Sequence, residues 1–331
     1  MAANLTPQYM EEEKKLRTAT TPQEKIAIYE ELLRLIPKHK GTEKMVAQHR
    51  AKIAKLKEEM QKPSSTGKHG VSHIIDKQGG GQVVVIGPPN SGKSLLIKKL
   101  TGADPEVGDY PFTTRVPAPY MMKFENVKIQ LIDLPPITAE YLESGQVELI
   151  KVADAALIAA DAANPDSPGL LETLFARLKE KKVEFVSEAY VPPADEAVRI
   201  FRKRTLLLAN KSDLDPGGEN REALKFFFEA QFPLVSISAE TGEGLEELRR
   251  RIFDLLHVIR AYSKPPGKKV DHDDPHVLKR GANVLDIARS VHKDFAEKLA
   301  FARLWREGKF NGQMVTRDEV LEDQDVVELH I

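Results

Sequence analysis

The sequence predicts an α/β fold in which a central domain has a mostly parallel sheet with flanking helices. Hydrophobic strand-like runs alternate with helical stretches between residues 71 and 262. A run of β-branched residues at 83–86 leads into a glycine-rich loop and then into a helix start. We therefore expect three parts: a helical N-terminal region with a linker at 1–70, the central domain at 71–262, and a small module at 263–331.

The loop after the first strand has the composition of a phosphate-binding loop. Residues 87–94, Gly-Pro-Pro-Asn-Ser-Gly-Lys-Ser, fit G-x-x-x-x-G-K-[ST], and the helix start follows directly. Backbone N–H groups of such a loop, together with the helix N-terminus, bind an anion. Gly87 and Gly92 allow the backbone to approach the ligand closely. Lys93 is expected to reach the β- and γ-phosphates, and the Ser94 hydroxyl to bind Mg²⁺.

Two further strand patterns follow the loop, and the second of them ends at Asp133. A carboxylate at the end of a strand, facing the phosphates, is where a magnesium ion needs support. Asp133 is therefore predicted to act on the metal together with Ser94.

A second motif predicts which base is bound. Residues 210–213, Asn-Lys-Ser-Asp, follow the strand-like run at 205–209. A carboxylate at Asp213 can accept two N–H donors from guanine, whereas adenine would leave it unpaired at a cost. The motif alone also fits a simple turn, but its place after a strand and downstream of a phosphate loop favours guanine recognition. Residues 238–240, Ser-Ala-Glu, follow the next strand, and their amides are expected to meet the guanine carbonyl.

The sequence of the N-terminal region predicts a helical hairpin. Thr21 can cap the first helix, Pro22 takes the first helical position, and Glu24 completes a capping box. A second helix begins near Thr42. Residues 63–70 have the composition of a linker.

The charge of this hairpin is uneven. Residues 38–62 carry eight Lys or Arg residues against three Glu residues, a net charge of +5. One interpretation is a contact with a phosphate backbone, such as that of ribosomal RNA. The other is a solvated helix surface, since no aromatic stacking platform accompanies the basic residues.

Composition excludes several kinds of chemistry. The 331 residues, 41% of them hydrophobic, suffice for two or three domains with their own cores. The net charge of −1 selects no partner. The absence of cysteine excludes disulfides and thiol catalysis and fits the reducing cytoplasm. The polar, acidic start is unlike a signal peptide, and no run of about 18 apolar residues predicts a membrane span.

The C-terminal module at 263–331 shows no catalytic pattern. Asn283 can cap a helix with Asp286 three residues later, and the run at 320–331 is expected to form an edge strand. Trp305 fits a core or interface position better than a base-stacking platform. Three histidines lack the spacing of metal ligands and are expected to pack or lie at the surface: His276, His292 and His330.

These motifs resemble those of translation-factor-type GTPases of the Obg family, and most of all the branch called developmentally regulated GTP-binding proteins. GPPNSGKS resembles the first G motif of that family, DYPFTTR at 109–115 its switch I signature, and NKSD and SAE its fourth and fifth motifs. HKDF and LEDQDVVELHI resemble parts of a TGS domain, a small β-grasp fold and interaction module. The resemblance runs from about Thr42 to the C-terminus. The glycine-rich Obg fold is absent, and the spacing from 133 to 210 leaves no room for the inserted domain of the eukaryotic members.

The resemblance assigns roles to two further residues. By position, Thr114 corresponds to the switch threonine that binds Mg²⁺ in the GTP state. Asn90 matches the loop asparagine that helps to bind an activating K⁺ in related GTPases, although turn chemistry explains an asparagine there equally well.

One departure from the family affects catalysis. The third motif should be D-x-x-G, but Pro136 stands in place of the glycine that donates its N–H to the γ-phosphate. Proline has no N–H and a fixed φ, so we expect this contact to be missing, the GTP state to hold switch II (the segment that follows Asp133) less firmly, and hydrolysis to be slow. Ile137 stands where Ras-like proteins have a water-orienting glutamine, and an apolar residue there is usual for the family.

The resemblance implies a cytoplasmic, ribosome-associated switch that binds GTP or GDP with Mg²⁺, possesses slow GTPase activity and contacts no membrane. The alternative is a hydrolysis-deficient scaffold for RNA or protein partners, and NKSD disfavours an ATPase. The residues expected to bind nucleotide are Gly87, Asn90, Ser91, Gly92, Lys93, Ser94, Leu95, Asn210, Lys211, Asp213, Ser238, Ala239 and Glu240. The expected catalytic residues are Lys93, Thr114 and Asp133, and the expected metal ligands are Ser94, Thr114 and Asp133.

Overall fold

The computed structural model divides the chain into two compact units, Met1–His69 and Gly70–Ile331. The structure describes the residues 8–9, 12, 22–36, 45–46, 49, 52–53, 75–103, 117–187, 189–190 and 200–331. Within these ranges no helix combines the length and the apolar composition needed to cross a bilayer.

The described part of the N-terminal unit is helical. Helix α1 spans Pro22–Leu35, and the described residues of 45–53 are also helical. A further helical segment, which the sequence did not predict, contains Tyr9. Tyr9 packs on Leu32 in a small core. The Tyr9 hydroxyl lies 2.7 Å from Nε2 of His49. Of the eight basic residues expected to contact RNA, only Lys52 lies among the described residues, and it is exposed.

The central domain contains a seven-stranded sheet in the order β2-β3-β1-β4-β6-β5, with β7 beside β6. Its pairings are parallel except for the antiparallel hairpin of β2 and β3, which confirms the predicted fold class. The strands are β1 Gln82–Ile86, β2 Ala118–Phe124, β3 Val127–Asp133, β4 Ala155–Asp161, β5 Val183–Val186, β6 Phe201–Asn210 and β7 Leu234–Ser236. The helices are α2 Lys93–Thr101, α3 Ser144–Val152, α4 Ser167–Glu180, α5 Glu219–Phe228 and α6 Leu245–Leu255, and a 3-10 turn spans Ser212–Leu214.

Strand β1 shows why the sheet is covered on both faces. All five of its residues are buried. Val83 and Val85 point into one core with α2 and α6, whereas Val84 and Ile86 point into the opposite core with α3 and α4. Successive side chains of a strand point to opposite faces, so a continuous apolar run is needed where helices cover both. This packing fixes the strand that enters the phosphate-binding loop.

The parallel strands end at one edge of the sheet. Since ligands of open α/β sheets bind outside the carboxyl ends of the strands, functional side chains are expected there. Asp133, Asp161 and Asn210 are the last residues of β3, β4 and β6. Residues 87–92 leave the end of β1 at the same edge.

The C-terminal module is a five-stranded sheet in the order β11-β10-β12-β8-β9, with two helices. Its strands are β8 Val258–Ser263, β9 His276–Lys279, β10 Phe301–Arg306, β11 Phe310–Val315 and β12 Asp325–His330. Its helices are α7 Val284–Val291 and α8 Lys293–Lys298.

Three details of this module differ from the sequence expectations. Strand β12 is central rather than an edge strand, because it pairs with both β10 and β8. The module's sheet begins at Val258, whereas the boundary was expected between 262 and 263. One helix was expected over residues 283–295, but it breaks at His292, whose Nδ1 accepts the Asp294 N–H at 3.2 Å and starts α8. The predicted cap is confirmed, since Asn283 accepts the Asp286 N–H at 3.2 Å.

The module is joined to the central sheet through the turn between β2 and β3. Arg260 of β8 is 5% exposed and donates to both oxygens of Asp323, at 3.1 and 2.6 Å. The same guanidinium donates to Glu125 in the β2–β3 turn. Beside it, Asn126 donates to the Tyr262 hydroxyl at 2.8 Å. The two sheets are thus connected by a buried cation and a neutral hydrogen bond.

Candidate nucleotide-binding site

The loop between β1 and α2 is shaped by two glycines. A Cβ on Gly87 would lie 2.4 Å from the Ala159 carbonyl oxygen. Gly92 has φ +80°, and a Cβ there would lie 2.3 Å from Nδ2 of Asn210. Only glycine avoids both the clash and the left-handed strain at this second position. The loop therefore lies directly against β4 and against the motif at the end of β6.

Lys93 is buried inside this loop. Its Nζ donates to the carbonyl oxygens of Gly87 and Pro88, at 3.0 and 2.8 Å. Burial lowers the pKa of Lys93 to about 8, and the nearby charge of Asp133 opposes that shift. A buried ammonium among loop carbonyls is poised to bind a negatively charged ligand, because a phosphate would restore the lost solvation.

Ser94 and Asp133 form an oxygen-ligand pair that fits Mg²⁺. The Ser94 hydroxyl donates to Oδ2 of Asp133 at 2.9 Å. Burial raises the pKa of Asp133, while the Ser94 hydrogen bond and the Lys93 charge lower it. Its other oxygen, Oδ1, is buried without a hydrogen-bond partner. Since an orphaned carboxylate oxygen is costly, a cation or its bound water would satisfy it, and hydroxyl and carboxylate are ligands that Mg²⁺ accepts.

The segment after Asp133 offers no free backbone donor. The Leu134 N–H donates to the Val85 carbonyl at 3.3 Å, and the Ile137 N–H donates to the Gly87 carbonyl at 3.4 Å. Pro135 and Pro136 have no N–H. Every amide of residues 134–137 is therefore either missing or already bonded to β1 or the loop.

The start of this segment is also held from the other side. Gln146 is buried in the first turn of α3, and its Nε2 donates to the Pro135 carbonyl at 2.8 Å. Its Oε1 accepts the Glu143 N–H at 2.9 Å. The chain at 135–137 is thus fixed by Gln146, and Ile137 is itself buried.

Asn210 connects the two halves of the site. Its Nδ2 donates to the Ser91 carbonyl at 2.9 Å, and its Oδ1 accepts the Ala239 N–H at 3.0 Å. The side chain is buried, so both bonds are protected from water. Asn210 therefore holds the phosphate-binding loop and the Ser-Ala-Glu loop at a fixed spacing. The Ala239 amide, expected to meet the guanine carbonyl, is shared with Asn210.

The rest of the predicted base site lies at the same edge of the sheet. Asp213 is exposed in the 3-10 turn, where its carboxylate is accessible to a base. Ser238 is buried and accepts the Thr241 N–H at 3.1 Å, which shapes the loop that presents Glu240. Lys99 of α2 donates to the Glu240 carbonyl at 3.0 Å.

For three of the residues expected at the site, Asn90, Leu95 and Thr114, the structure gives only exposure or backbone conformation, or no description. Asn90 is exposed and has φ +61°, a left-handed conformation that asparagine tolerates. Leu95 is half-buried in the first turn of α2. Thr114 and the rest of the switch I signature lie outside the described residues.

Sequence reasoning missed three residues that support the site: Asp161, Gln146 and Lys99. Asp161 accepts a hydrogen bond from Lys211, at 2.7 Å. Its signal was available, because it ends a strand as Asp133 does. Gln146 and Lys99 lie on helices without a local motif, so only the tertiary structure shows what they contact.

Comparisons with known proteins agree with this geometry. A family model described as 50S ribosome-binding GTPase matches residues 82–190, and a TGS domain model matches residues 259–331. A GTP-binding protein of Methanocaldococcus jannaschii is 29% identical over 368 aligned positions, covering 93% of each chain. Developmentally-regulated G-protein 1 of Arabidopsis thaliana is 29% identical, covering 88% of this chain and 87% of its own.

A yeast relative and a crystal structure extend these comparisons. Ribosome-interacting GTPase 1 of Saccharomyces cerevisiae is 26% identical, covering 93% of this chain and 98% of its own. The crystal structure of a GTP-binding protein from Pyrococcus horikoshii covers 75% of this chain with a TM-score of 0.50. At 18% identity this second likeness concerns the fold alone.

A mostly parallel sheet, a phosphate-binding loop and an N-K-x-D motif define the class of P-loop GTP-binding proteins, here with a TGS domain. Within this class, the chain is similar over most of its length to the developmentally regulated GTP-binding proteins of the Obg type. The alignment with the M. jannaschii relative extends over 368 positions, more than the 331 residues of this chain, so that relative contains additional segments.

Proposed function

We propose that this chain is a magnesium-dependent GTPase with slow intrinsic turnover that acts as a ribosome-associated switch in the cytoplasm. The observation that carries the slow turnover is the lack of a free amide in residues 134–137. The name of the yeast relative, Ribosome-interacting GTPase 1, supports the ribosomal association.

Different residues at the edge of the sheet are proposed to bind the phosphates, the metal and the base. Lys93 and the loop amides would stabilise charge on the β- and γ-phosphates. Ser94 and Asp133 would hold Mg²⁺, which when bound neutralises phosphate charge. Asp213 would select guanine, and Asn210 would keep the base and phosphate subsites at their spacing. The role of Thr114 as a further metal ligand rests on its sequence motif.

Pro136 explains why turnover should be slow. Phosphoryl transfer is catalysed mainly by positioning and by donors aimed at the charge that develops on the γ-phosphoryl group. Removing one such donor slows comparable reactions by roughly a hundredfold. The Ile137 amide cannot replace the missing donor, since Gly87 already accepts it.

The test is a single-turnover assay of GTP hydrolysis on purified, nucleotide-free protein with Mg²⁺. It is run with and without purified ribosomes. We expect slow hydrolysis by the protein alone and a faster rate with ribosomes, if a partner supplies the missing donor. A fast basal rate that ribosomes leave unchanged would contradict the proposal.

The second candidate function is a scaffold that binds GTP or GDP without meaningful turnover. The same double proline favours it, because switch II would then be held in one conformation in both nucleotide states. Ribosome binding that responds to GTP, GDP and their absence in the same way, with no hydrolysis above background, would favour the scaffold.

A monovalent cation is a further proposed cofactor. Asn90 is exposed at the loop, where a side-chain oxygen could bind K⁺ beside the phosphates. Replacing K⁺ by Na⁺ in the single-turnover assay should then slow hydrolysis, and Asn90→Ala should abolish the difference. Equal rates in both salts would remove K⁺ from the account.

The N-terminal unit is the proposed RNA contact. Its segment at 38–62 has a net charge of +5, and neutralised phosphates make binding fall steeply with salt. We expect ribosome association to weaken as KCl rises from about 50 to 200 mM. A variant with Lys52, Lys55 and Lys57 changed to Gln should bind more weakly and with a shallower salt dependence. Unchanged binding would exclude this segment.

A further inference from the structure

The Lys93 ammonium has three hydrogen-bond acceptors inside the phosphate-binding loop. They are the carbonyl oxygens of Gly87 and Pro88, at 3.0 and 2.8 Å, and Oγ of Ser91 at 3.4 Å. Since an ammonium has three donors, a phosphate oxygen can bind this lysine only if it turns away from one of these acceptors. Gly87 and Pro88 are buried, so a carbonyl that lost its partner there would be costly.

Both carbonyls also accept a second donor that does not move with the lysine. The hydroxyl of Ser91 donates to the Pro88 carbonyl at 3.0 Å, and the Ile137 N–H donates to the Gly87 carbonyl at 3.4 Å. Neither carbonyl is therefore left unpaired when the ammonium turns towards a ligand. The bond from Ile137 is long, so a small displacement of this residue would break it.

Gln146 fixes the chain on the way to Ile137. Its Nε2 donates to the Pro135 carbonyl at 2.8 Å, its Oε1 accepts the Glu143 N–H at 2.9 Å, and the side chain is buried in the first turn of α3. Only Pro136 separates the Pro135 carbonyl from the Ile137 amide, and its ring fixes φ. The position of the carbonyl therefore largely sets the position of the amide that reaches the phosphate-binding loop.

We propose that Gln146 is a positioning residue for phosphate binding. It holds the Ile137 N–H against the Gly87 carbonyl, and that carbonyl stays paired when the lysine binds a phosphate. The proposal rests on the proposed function, in which Lys93 binds the phosphates of the nucleotide. Because the effect concerns the lysine and the phosphate-binding loop, it is the same for GDP, GTP and pyrophosphate. It differs in this from the effect of Pro136, which concerns GTP alone.

The test compares Gln146→Met with wild type in the full chain by equilibrium titration with GDP, GTP and magnesium pyrophosphate. Methionine has a similar length and lacks both the donor and the acceptor. We expect all three affinities to fall by the same factor, about tenfold, because a buried carbonyl loses its second donor. An unchanged affinity for pyrophosphate, or a loss confined to GTP, would overturn the proposal.

Gln146→Glu provides a rescue that depends on pH. Burial raises the pKa of a carboxyl group, so at about pH 5.5 we expect this side chain to be protonated. It then donates to the Pro135 carbonyl as the amide does, and GDP affinity should lie within about twofold of wild type at the same pH. The deficit relative to wild type should grow as the pH rises and the carboxylate ionises. Binding at the lower pH that is no better than that of Gln146→Met would overturn the positioning role.

Gln82 provides a matched control at the start of β1. It is equally buried, and its Nε2 donates to the Ile75 carbonyl at 3.2 Å and to Oε1 of Gln130 at 2.9 Å. Gln82→Met removes these bonds at the opposite edge of the sheet, so we expect GDP affinity to remain that of wild type. An equal loss in this variant would attribute the effect to general destabilisation and overturn the proposal. If the wild-type protein binds no GDP, the proposed function fails instead.

Discussion

The backbone N–H of Ile137 donates to the carbonyl oxygen of Gly87 at 3.4 Å. This bond joins the segment after Asp133 to the first glycine of the phosphate-binding loop, next to the position where the family glycine is replaced by Pro136. The amide that the family motif directs at a γ-phosphate is therefore missing, and the following amide is already bonded to Gly87. The protein would therefore have to distinguish GTP from GDP mainly through contacts other than the backbone amides of residues 134–137.

Replacing Pro136 tests this relationship. Pro136→Gly supplies an N–H and backbone freedom, so we expect tighter GTP binding relative to GDP and faster hydrolysis, by roughly a factor of ten to a hundred. Single-turnover hydrolysis and competition binding measure both quantities. Pro135→Gly is the matched control, because it adds similar freedom at the position whose carbonyl Gln146 holds. Equal acceleration in both variants would attribute the effect to flexibility instead.

Asn210 should be required for both nucleotides. Asn210→Ala leaves the Ser91 carbonyl and the Ala239 N–H without their partner, at about 1–3 kcal/mol each. We expect GDP and GTP affinity to fall by at least a hundredfold, measured by equilibrium titration with a fluorescent guanine nucleotide. The control is Asn220→Ala, which loses one hydrogen bond to Ala162, at 2.8 Å, away from the loop. Retained affinity in Asn210→Ala would show that the two loops need no bridge.

Lys203 should make stability depend on pH. Its Nζ donates to the carbonyls of Lys151 and Ala153, both at 2.6 Å, at the end of α3. Burial, assisted by the charge of Lys77, lowers the pKa of Lys203 to about 8 from its ordinary 10.5, and Asp154 opposes this. Between these pH values the unfolded chain binds more protons than the folded one, so this group makes the free energy of unfolding rise with pH.

A comparison with Lys203→Met isolates that contribution. The difference in free energy of unfolding between wild type and variant should grow in favour of the wild type from pH 7.5 to 9.5, by about 1 kcal/mol. Urea denaturation at the two pH values measures it. A difference that stays constant or shrinks would show that Lys203 titrates as an exposed lysine does.

Arg260 should stabilise the junction between the central sheet and the sheet of the C-terminal module, both of which lie in the unit Gly70–Ile331. Arg260→Met removes a buried guanidinium and leaves Asp323 without its bidentate partner, so we expect a loss of about 2 kcal/mol in the free energy of unfolding. Glu125→Gln is the control, because Glu125 is 57% exposed and its ion pair should contribute under about 1 kcal/mol. Equal losses in a denaturant titration would mean that the turn, and not Asp323, dominates.

Local patterns predicted much of the fold. The apolar run of β1 and the alternation of strands with helices predicted the parallel sheet, because both faces of such a sheet must be covered. Asn283 and Asp286 predicted the start of α7, because a helix cap depends only on residues three positions apart in the sequence. The position of β12 could not be predicted, since pairing with β8 depends on contacts between distant segments.

In the candidate site, too, the contacts within one loop could be predicted from the sequence and the contacts between distant segments could not. Gly87, Lys93 and Ser94 belong to a motif whose spacing is set by one loop, so the sequence contained their arrangement. The bond from Gln146 to Pro135, and that from Lys211 to Asp161, join separate elements and appear only after folding. The use of the Ala239 amide by Asn210 was missed because a backbone amide has no signature in the sequence.

The central claim is that this loop and the N-K-S-D motif together bind a guanine nucleotide. The most direct measurement is equilibrium binding of fluorescent GDP, GTP and ATP analogues to nucleotide-free protein with Mg²⁺. The account predicts binding of both guanine nucleotides, with little difference between them, and at least hundredfold weaker binding of ATP. Equal affinity for ATP, or no binding of GDP and GTP, would contradict it.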